Sequence, residues 1–192
     1  MSEPENATPA VFLDACVLVG AVRRHLVLAL ADHQLIYPRW SDKVLFETGH
    51  AHARIVSDKP GRDGAGEAAS LVTHLQAAFP EALVPETDAQ AVTLNARLPD
   101  PDDAHVIQAA IAGQSRFILT ENMKDFPRQI LLPLGVYARP THEFVASLLN
   151  REHGRTLVAL DDARERLGLS AARFGDALRR SRLGALAKKL SL

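Results

Sequence analysis

Short apolar runs alternate with segments in which apolar residues recur every three to four positions over the first 140 residues. The run VFLDACVLV, residues 11–19, predicts one buried strand, and FILT (117–120) and GVYA (135–138) predict two more. LIYP (35–38) is a further short apolar piece. Strands separated by helices are typical of βαβ units, so the pattern predicts an α/β fold with a parallel sheet covered on both faces.

Helical periodicity fills the intervals between these runs, and Ser41 is placed to cap one of the helices. The glycine-rich stretch at 59–67 predicts a flexible connection, and ALVPE (82–86) predicts a short extended piece. Three aspartates, Asp100, Asp102 and Asp103, begin a further predicted helix, and Gly113 ends it. The predicted helices are 21–34, 42–56, 67–79, 87–98 and 100–114.

The pattern becomes wholly helical after Pro140, with predicted helices at 142–153, 156–168 and 170–190. We therefore expect an α/β domain at 11–140, a helical C-terminal extension at 141–192 and a disordered N-terminus at 1–10. Residues 170–192 carry six arginines and lysines against one aspartate. Apolar residues at helical spacing favour a solvated amphipathic helix there over direct nucleic-acid contact.

Composition limits the class of protein. Hydrophobic residues make up 47% of the 192 residues, and the formal net charge is -1. No uncharged apolar run reaches the length of a membrane span, and the acidic start MSEPENATPA does not resemble a secretory signal, so we expect a cytoplasmic protein without membrane contact. The single cysteine, Cys16, cannot form an internal disulfide and is most simply a small buried hydrophobe.

Acidic residues fall where the predicted elements end. A carboxylate at Asp14, inside an apolar run, must be paired, protonated or metal-bound. Asn122 and Asp125 follow the strand candidate 117–120, and ligands of open α/β sheets bind beyond the carboxyl ends of strands. Asp103 in a first helical turn and Glu47 among apolar neighbours add two carboxylates. Such a cluster favours Mg²⁺ or Mn²⁺, which supports phosphodiester hydrolysis.

The order LDACVL, FE near position 47, LPDPDDAHVIQAAI and FILTENMKDFP resembles the PIN-domain family, which includes VapC-type toxin ribonucleases. The resemblance implies a three-layer α/β/α sandwich, dependence on Mg²⁺ or Mn²⁺, cleavage of single-stranded RNA and, often, an antitoxin partner. By position, Asp14, Glu47 and Asp103 match the first three family acids. Asn122 stands where many relatives have an aspartate, so Asp125 is a candidate substitute, and one-metal catalysis becomes a serious possibility. Thr120 would orient a ligand or a water.

Two functional hypotheses follow. The first is a metal-dependent endoribonuclease, the toxin of a type II toxin-antitoxin pair, with Asp14, Glu47, Asp103 and Asn122 as metal ligands and Asp125 completing the catalytic set. The second is a catalytically weakened PIN-fold module that binds RNA or a partner protein. A homodimer is possible in either case. A phosphotransferase of the haloacid-dehalogenase type is disfavoured, because Cys16 stands where that family has its second aspartate.

Several candidate residues have structural alternatives. Helix capping competes with metal binding for Asp100, Asp102 and Asp125. Core packing is favoured over base stacking for Trp40 and Tyr37. Three arginines, Arg23, Arg24 and Arg39, could contact phosphates of a nucleic acid. The histidines His50, His52 and His105 are interpreted as surface, packing or supporting groups.

Overall fold

A four-stranded parallel sheet lies at the centre of the computed structural model, which describes residues 8–85 and 98–192. The strands are β1 (Ala10–Leu13), β2 (Tyr37–Arg39), β3 (Phe117–Leu119) and β4 (Tyr137–Arg139). Their order in the sheet is β2-β1-β3-β4, so the chain leaves β1 toward one side and later returns to its other side. The carboxyl ends of β1 and β3 therefore border the switch point at which α/β sheets bind ligands.

Helices flank this sheet and give the predicted three-layer α/β/α architecture, with more helix than strand. They are α1 (Ala15–Val19), α2 (Ala21–Asp32), α3 (Asp42–Ser57), α4 (Gly64–Ala78), α5 (Ala104–Ala112), α6 (Arg128–Leu131), α7 (Thr141–Arg151), α8 (His153–Arg166), α9 (Ala171–Arg180) and α10 (Gly184–Lys189). Short 3₁₀ turns lie at Pro80–Ala82, Pro101–Asp103, Met123–Asp125 and Leu132–Leu134. The predicted helix 87–98 lies, except for its last residue, outside the described residues.

The prediction of one strand over residues 11–19 is wrong, because the strand ends at Leu13 and a helix begins at Ala15. The Asp14 backbone N–H still donates to the Leu119 carbonyl, at 3.1 Å, while its own carbonyl accepts from the Val17 N–H at 3.0 Å. Asp14 is thus the N-cap residue of α1. Its side chain stands at the carboxyl edge of the sheet and not in the middle of a strand.

The cap predicted at Ser41 is confirmed. Its hydroxyl accepts a hydrogen bond from the Val44 N–H at 3.2 Å at the start of α3. This cap fixes where α3 begins and so places Glu47 on its second turn. Trp40, just before the cap, is fully buried and packs edge to face against Phe79, with the ring centroids 6.1 Å apart. This packing confirms the core role of Trp40.

The predicted single helix at 170–190 is two helices, α9 and α10. Arg182, between them, has φ of +59°, a left-handed conformation that ends the first helix. Phe174, Leu178 and Leu186 are buried in the same hydrophobic cluster as the sheet residue Ile118. The C-terminal helices therefore share the core of the sheet domain.

None of the helices in residues 8–85 and 98–192 has the length and apolar character that a membrane crossing requires.

Candidate functional site

Asp14 carries a buried carboxylate held by neutral donors. Its side chain is 8% exposed, and its Oδ2 accepts hydrogen bonds from the Thr120 hydroxyl at 2.6 Å and the Cys16 thiol at 3.1 Å. Within the described part of the chain, no lysine, arginine or histidine nitrogen lies within 4 Å of this carboxylate. Hydrogen bonds thus hold Asp14 in place, but no basic side chain among these residues neutralises it.

The interpretation of Cys16 as a small buried hydrophobe holds in part, since the residue packs against the hydrophobic core but is only half-buried. Its thiol also makes polar contacts, since it donates to Asp14 and its sulfur accepts a hydrogen bond from the Glu121 N–H at 3.2 Å. Burial, and then repulsion from Asp14, raise the pKa of the thiol to about 12, so it stays protonated and remains a donor. Cys16 is therefore a polar support of the Asp14 carboxylate.

Asp103 closes a 3₁₀ turn directly before α5 and faces the same group of acids. Burial, followed by repulsion from Asp14 and other carboxylates, raises its pKa to about 6. Its Oδ2 is buried and has no hydrogen-bond partner among the described residues. The further carboxylates that raise this pKa are Asp100, Asp125 and Glu47. Asp103 therefore combines an unsatisfied oxygen with a strongly negative environment.

Glu47 reaches the acidic group from α3, where its Oε1 lies 3.1 Å from His105 Nε2. Burial raises the Glu47 pKa, an effect that Lys43 opposes and Asp14 reinforces. Burial also lowers the pKa of His105 to about 4, so at neutral pH the imidazole is uncharged and Nε2–H can donate to the carboxylate. Of the surface, packing and supporting roles considered for His105 from the sequence, this contact favours the supporting one.

Asn122 and Asp125 lie together beside the Asp14 support. The Asn122 N–H donates to the Thr120 hydroxyl at 3.0 Å, and its side-chain amide donates to Asp125 Oδ2. Asp125 is buried, with Lys124 Nζ at 3.9 Å. Asp125 does not cap the next helix, because the N-cap residue of α6 is Pro127 and no side chain caps this helix. Asp100, in contrast, is a cap, since its carboxylate accepts from the Asp102 N–H at 3.0 Å.

The three arginines considered as phosphate contacts are engaged within the fold. Their partners are the Ser181 carbonyl (2.5 Å) and Glu121 Oε1 (3.3 Å) for Arg23, the Leu18 carbonyl for Arg24 (2.7 Å) and the Glu81 carbonyl for Arg39 (2.6 Å). Glu121 also accepts the Thr141 N–H at 3.1 Å, so it anchors the turn that follows β3. Glu121 directly precedes Asn122, so its contacts with Arg23 and Thr141 help to fix the turn that carries Asn122.

A family model described as PIN domain matches residues 10–124. The chain belongs to the PIN-domain family. The match covers more than half of the chain and includes Asp14, Glu47, Asp103 and Asn122, whereas Asp125 follows it directly. PIN domains are generally nucleases and typically use divalent metal ions. No curated protein and no solved structure matches the chain.

The donor set of this PIN domain fits a hard divalent cation. Carboxylate oxygens, an amide oxygen and the unsatisfied Oδ2 of Asp103 are the ligand types that Mg²⁺ and Mn²⁺ prefer. Over residues 8–85 and 98–192, no three His, Cys, Asp or Glu side chains are arranged closely enough to hold an ion. Mg²⁺ usually keeps several waters and binds one or two protein carboxylates, so this spacing remains compatible with one ion.

Replacing Thr120 with valine should weaken divalent-metal binding several-fold and lower the free energy of unfolding by about 1 kcal/mol. Valine removes both the donor to Asp14 and the acceptor for the Asn122 N–H. Calorimetric titration with Mn²⁺ and urea unfolding measure the two effects. Thr120→Ser keeps the hydroxyl and should behave like the parent protein. Equal Mn²⁺ affinity in the serine and valine variants would contradict the role of Thr120.

Proposed function

We propose that this PIN domain is a metal-dependent endoribonuclease that hydrolyses phosphodiester bonds of single-stranded RNA. The observation that carries the proposal is the group of carboxylates around the carboxyl ends of β1 and β3, where Asp14 is buried and Asp103 has a pKa of about 6. Keeping like charges together costs free energy, and a divalent cation would recover it.

Asp14 and Asp103 would hold the cation, with Glu47 and Asn122 at its periphery. When bound, the cation supplies charge neutralisation at the scissile phosphate and lowers the pKa of an attacking water. The Thr120 hydroxyl and the Cys16 thiol occupy Oδ2 of Asp14, which leaves Oδ1 of that carboxylate for the ligand. His105 keeps Glu47 oriented, and the raised pKa of Glu47 suits it to accept a proton from the water.

We further propose that the enzyme works in the cytoplasm as the toxin of a type II toxin-antitoxin pair, as VapC-type members of the family do. Family membership supports this assignment, which implies a cognate antitoxin as partner and is compatible with a homodimer. Co-expression with the protein of the neighbouring reading frame tests it. Growth arrest that this neighbour relieves is the expected result, and growth unaffected by the protein alone would overturn the toxin role.

Cleavage of a labelled single-stranded RNA by the purified protein tests the nuclease proposal. We expect products to form with Mn²⁺ or Mg²⁺, to disappear with EDTA and to return when the metal is restored. A Glu47→Gln variant purified in parallel should cleave more slowly, which separates the activity from a contaminating ribonuclease. Cleavage that persists in EDTA, or no cleavage with either metal, would contradict the proposal.

A second candidate function is a PIN-fold module that binds RNA or a partner protein without cutting. Asn122 in place of the common fourth acid favours this candidate, as does the spacing of the described acids, which forms no three-ligand site. Mn²⁺ titration separates the two functions. Binding that Asp103→Asn abolishes supports the enzyme, whereas no binding at millimolar Mn²⁺ supports the module.

A further inference from the structure

A cavity of about 370 Å³ opens beside β4, within the size range of small-ligand sites. Its lining includes Met123, Phe126, Arg128, Tyr137, Arg139 and Glu143. Phe126 is buried and gives the cavity an apolar wall, while both arginines are exposed. We name this cavity the β4 pocket.

The β4 pocket adjoins the acidic site through one short segment of chain. Met123 and Phe126 line the pocket, while Asn122 and Asp125, in the same turn, lie beside Thr120. The strands add a second connection, since the Thr120 N–H donates to the Arg139 carbonyl at 3.1 Å. A ligand in the pocket would therefore lie next to any group bound at the acids.

Positive charge in the β4 pocket is available to a ligand. Within the described residues, neither Arg128 nor Arg139 forms a salt bridge or a side-chain hydrogen bond. The Arg139 guanidinium instead lies over the Phe117 ring, 6.0 Å from its centroid. Glu143, the pocket's single carboxylate, offsets only part of this charge. Two guanidiniums without an acidic partner among the described residues, close to an acidic centre, are suited to the phosphates on either side of a reacting one.

The β4 pocket also presents an aromatic side chain beside its arginines. Tyr137 lines the β4 pocket, and its ring centroid lies 6.2 Å from that of Phe117. The guanidinium carbon of Arg116 lies 5.9 Å from the centroid of each ring. An aromatic side chain beside guanidinium groups is the usual platform for an unpaired base of a single strand. A double helix keeps its bases stacked inside, so the pocket suits single-stranded substrate.

We propose that the β4 pocket binds the nucleotide next to the scissile phosphate in single-stranded RNA, with its base against Tyr137 and its phosphates at Arg128 and Arg139. This assignment rests on the proposed nuclease function. It also explains how an acidic centre, which repels RNA, can retain its substrate: the neighbouring cationic pocket supplies the attraction.

Fluorescence anisotropy with a short labelled single-stranded RNA tests the pocket without cleavage, using the full chain carrying Asp14→Asn, in EDTA. The added pair Arg128→Gln and Arg139→Gln should weaken binding at least about tenfold and reduce the slope of log affinity against log salt by about 1.4, since each phosphate contact contributes about 0.7. Tyr137→Leu should weaken binding about tenfold, and Tyr137→Phe should not. Arg54→Gln, an exposed arginine on α3, is the matched control and should change affinity less than twofold.

Unchanged affinity and salt slope in the double variant would overturn the β4 pocket, as would an equal loss in Arg54→Gln. A nucleoside 5′-monophosphate that binds as tightly as the RNA would also overturn it, since the pocket would then serve a free nucleotide. Arg128→Gln alone leaves the Arg139–Phe117 contact intact and keeps the test valid if the double variant folds poorly. RNA cleavage is measured separately with the protein that keeps Asp14. If this protein cleaves RNA but the arginine variants bind RNA as tightly as their parent, the pocket assignment is wrong and the nuclease proposal stands. If this protein does not cleave RNA, the nuclease proposal is wrong, and so is the pocket assignment that rests on it.

Discussion

Asp14→Asn is expected to lower RNA cleavage by at least about a thousandfold, because a metal-assisted reaction loses several kcal/mol of transition-state stabilisation without its central ligand. Asparagine keeps an oxygen that can accept from Thr120 and Cys16, so the hydrogen bonds that position the residue are conserved. What the variant loses is the negative charge. Single-turnover cleavage at saturating Mn²⁺ measures the effect.

The fold of the Asp14→Asn variant should remain intact. Removing this charge relieves the repulsion that contributes to the raised pKa of Asp103, so thermal stability without metal should equal or exceed that of the parent. Asp176→Asn, in an exposed α9 residue that pairs with Arg179, makes the same chemical change away from the site and should leave cleavage unaltered. Full activity in Asp14→Asn, or a comparable loss in Asp176→Asn, would exclude the proposed role.

The alternation of apolar runs and helical segments was sufficient to predict the parallel sheet and its flanking helices. It did not locate the end of β1, because an apolar run of nine residues fits a buried strand or a strand followed by a buried helix equally well. Asp14 itself marked the boundary, since an N-cap position suits aspartate and a strand centre does not. The break between α9 and α10 was missed because the left-handed residue there is an arginine and not a glycine.

The site was predictable only in part. The order of predicted strands and acidic residues indicated that Asp14 and the residues after β3 lie at the same edge of the sheet. The Thr120 and Cys16 bonds to a single oxygen of Asp14 depend on side-chain orientation, and the Glu47–His105 contact joins two helices distant in the chain. No local pattern specifies such contacts.

Asp103→Asn is expected to make the protein more stable above pH 6 in the absence of divalent metal. Burial and the neighbouring carboxylates raise the pKa of Asp103 from its ordinary value of 3.8 to about 6 in the folded state. Below pH 3.8 the residue is protonated in both folded and unfolded chains and costs nothing. Between pH 3.8 and about 6 the unfolded chain loses its proton first, so folding stability falls as pH rises and stays lower above pH 6.

We expect the difference between variant and parent to grow over this interval to about 1 kcal/mol, less than the full shift would give, because the carboxyl is partly exposed and screened by solvent. Urea unfolding at pH values on either side of the interval measures it. Asp176→Asn, the exposed control, should leave the pH dependence as it is in the parent.

Divalent metal should reverse the order of stability. Mn²⁺ at about 100 times its dissociation constant stabilises a folded protein that binds it by about 2.7 kcal/mol, and the asparagine variant should gain far less. The parent would then be the more stable protein with metal and the less stable one without it. If Asp103 had only a structural role, the variant and the parent would keep the same order of stability with and without divalent metal. A reversal of that order on adding metal therefore shows that the carboxylate serves to bind a cation.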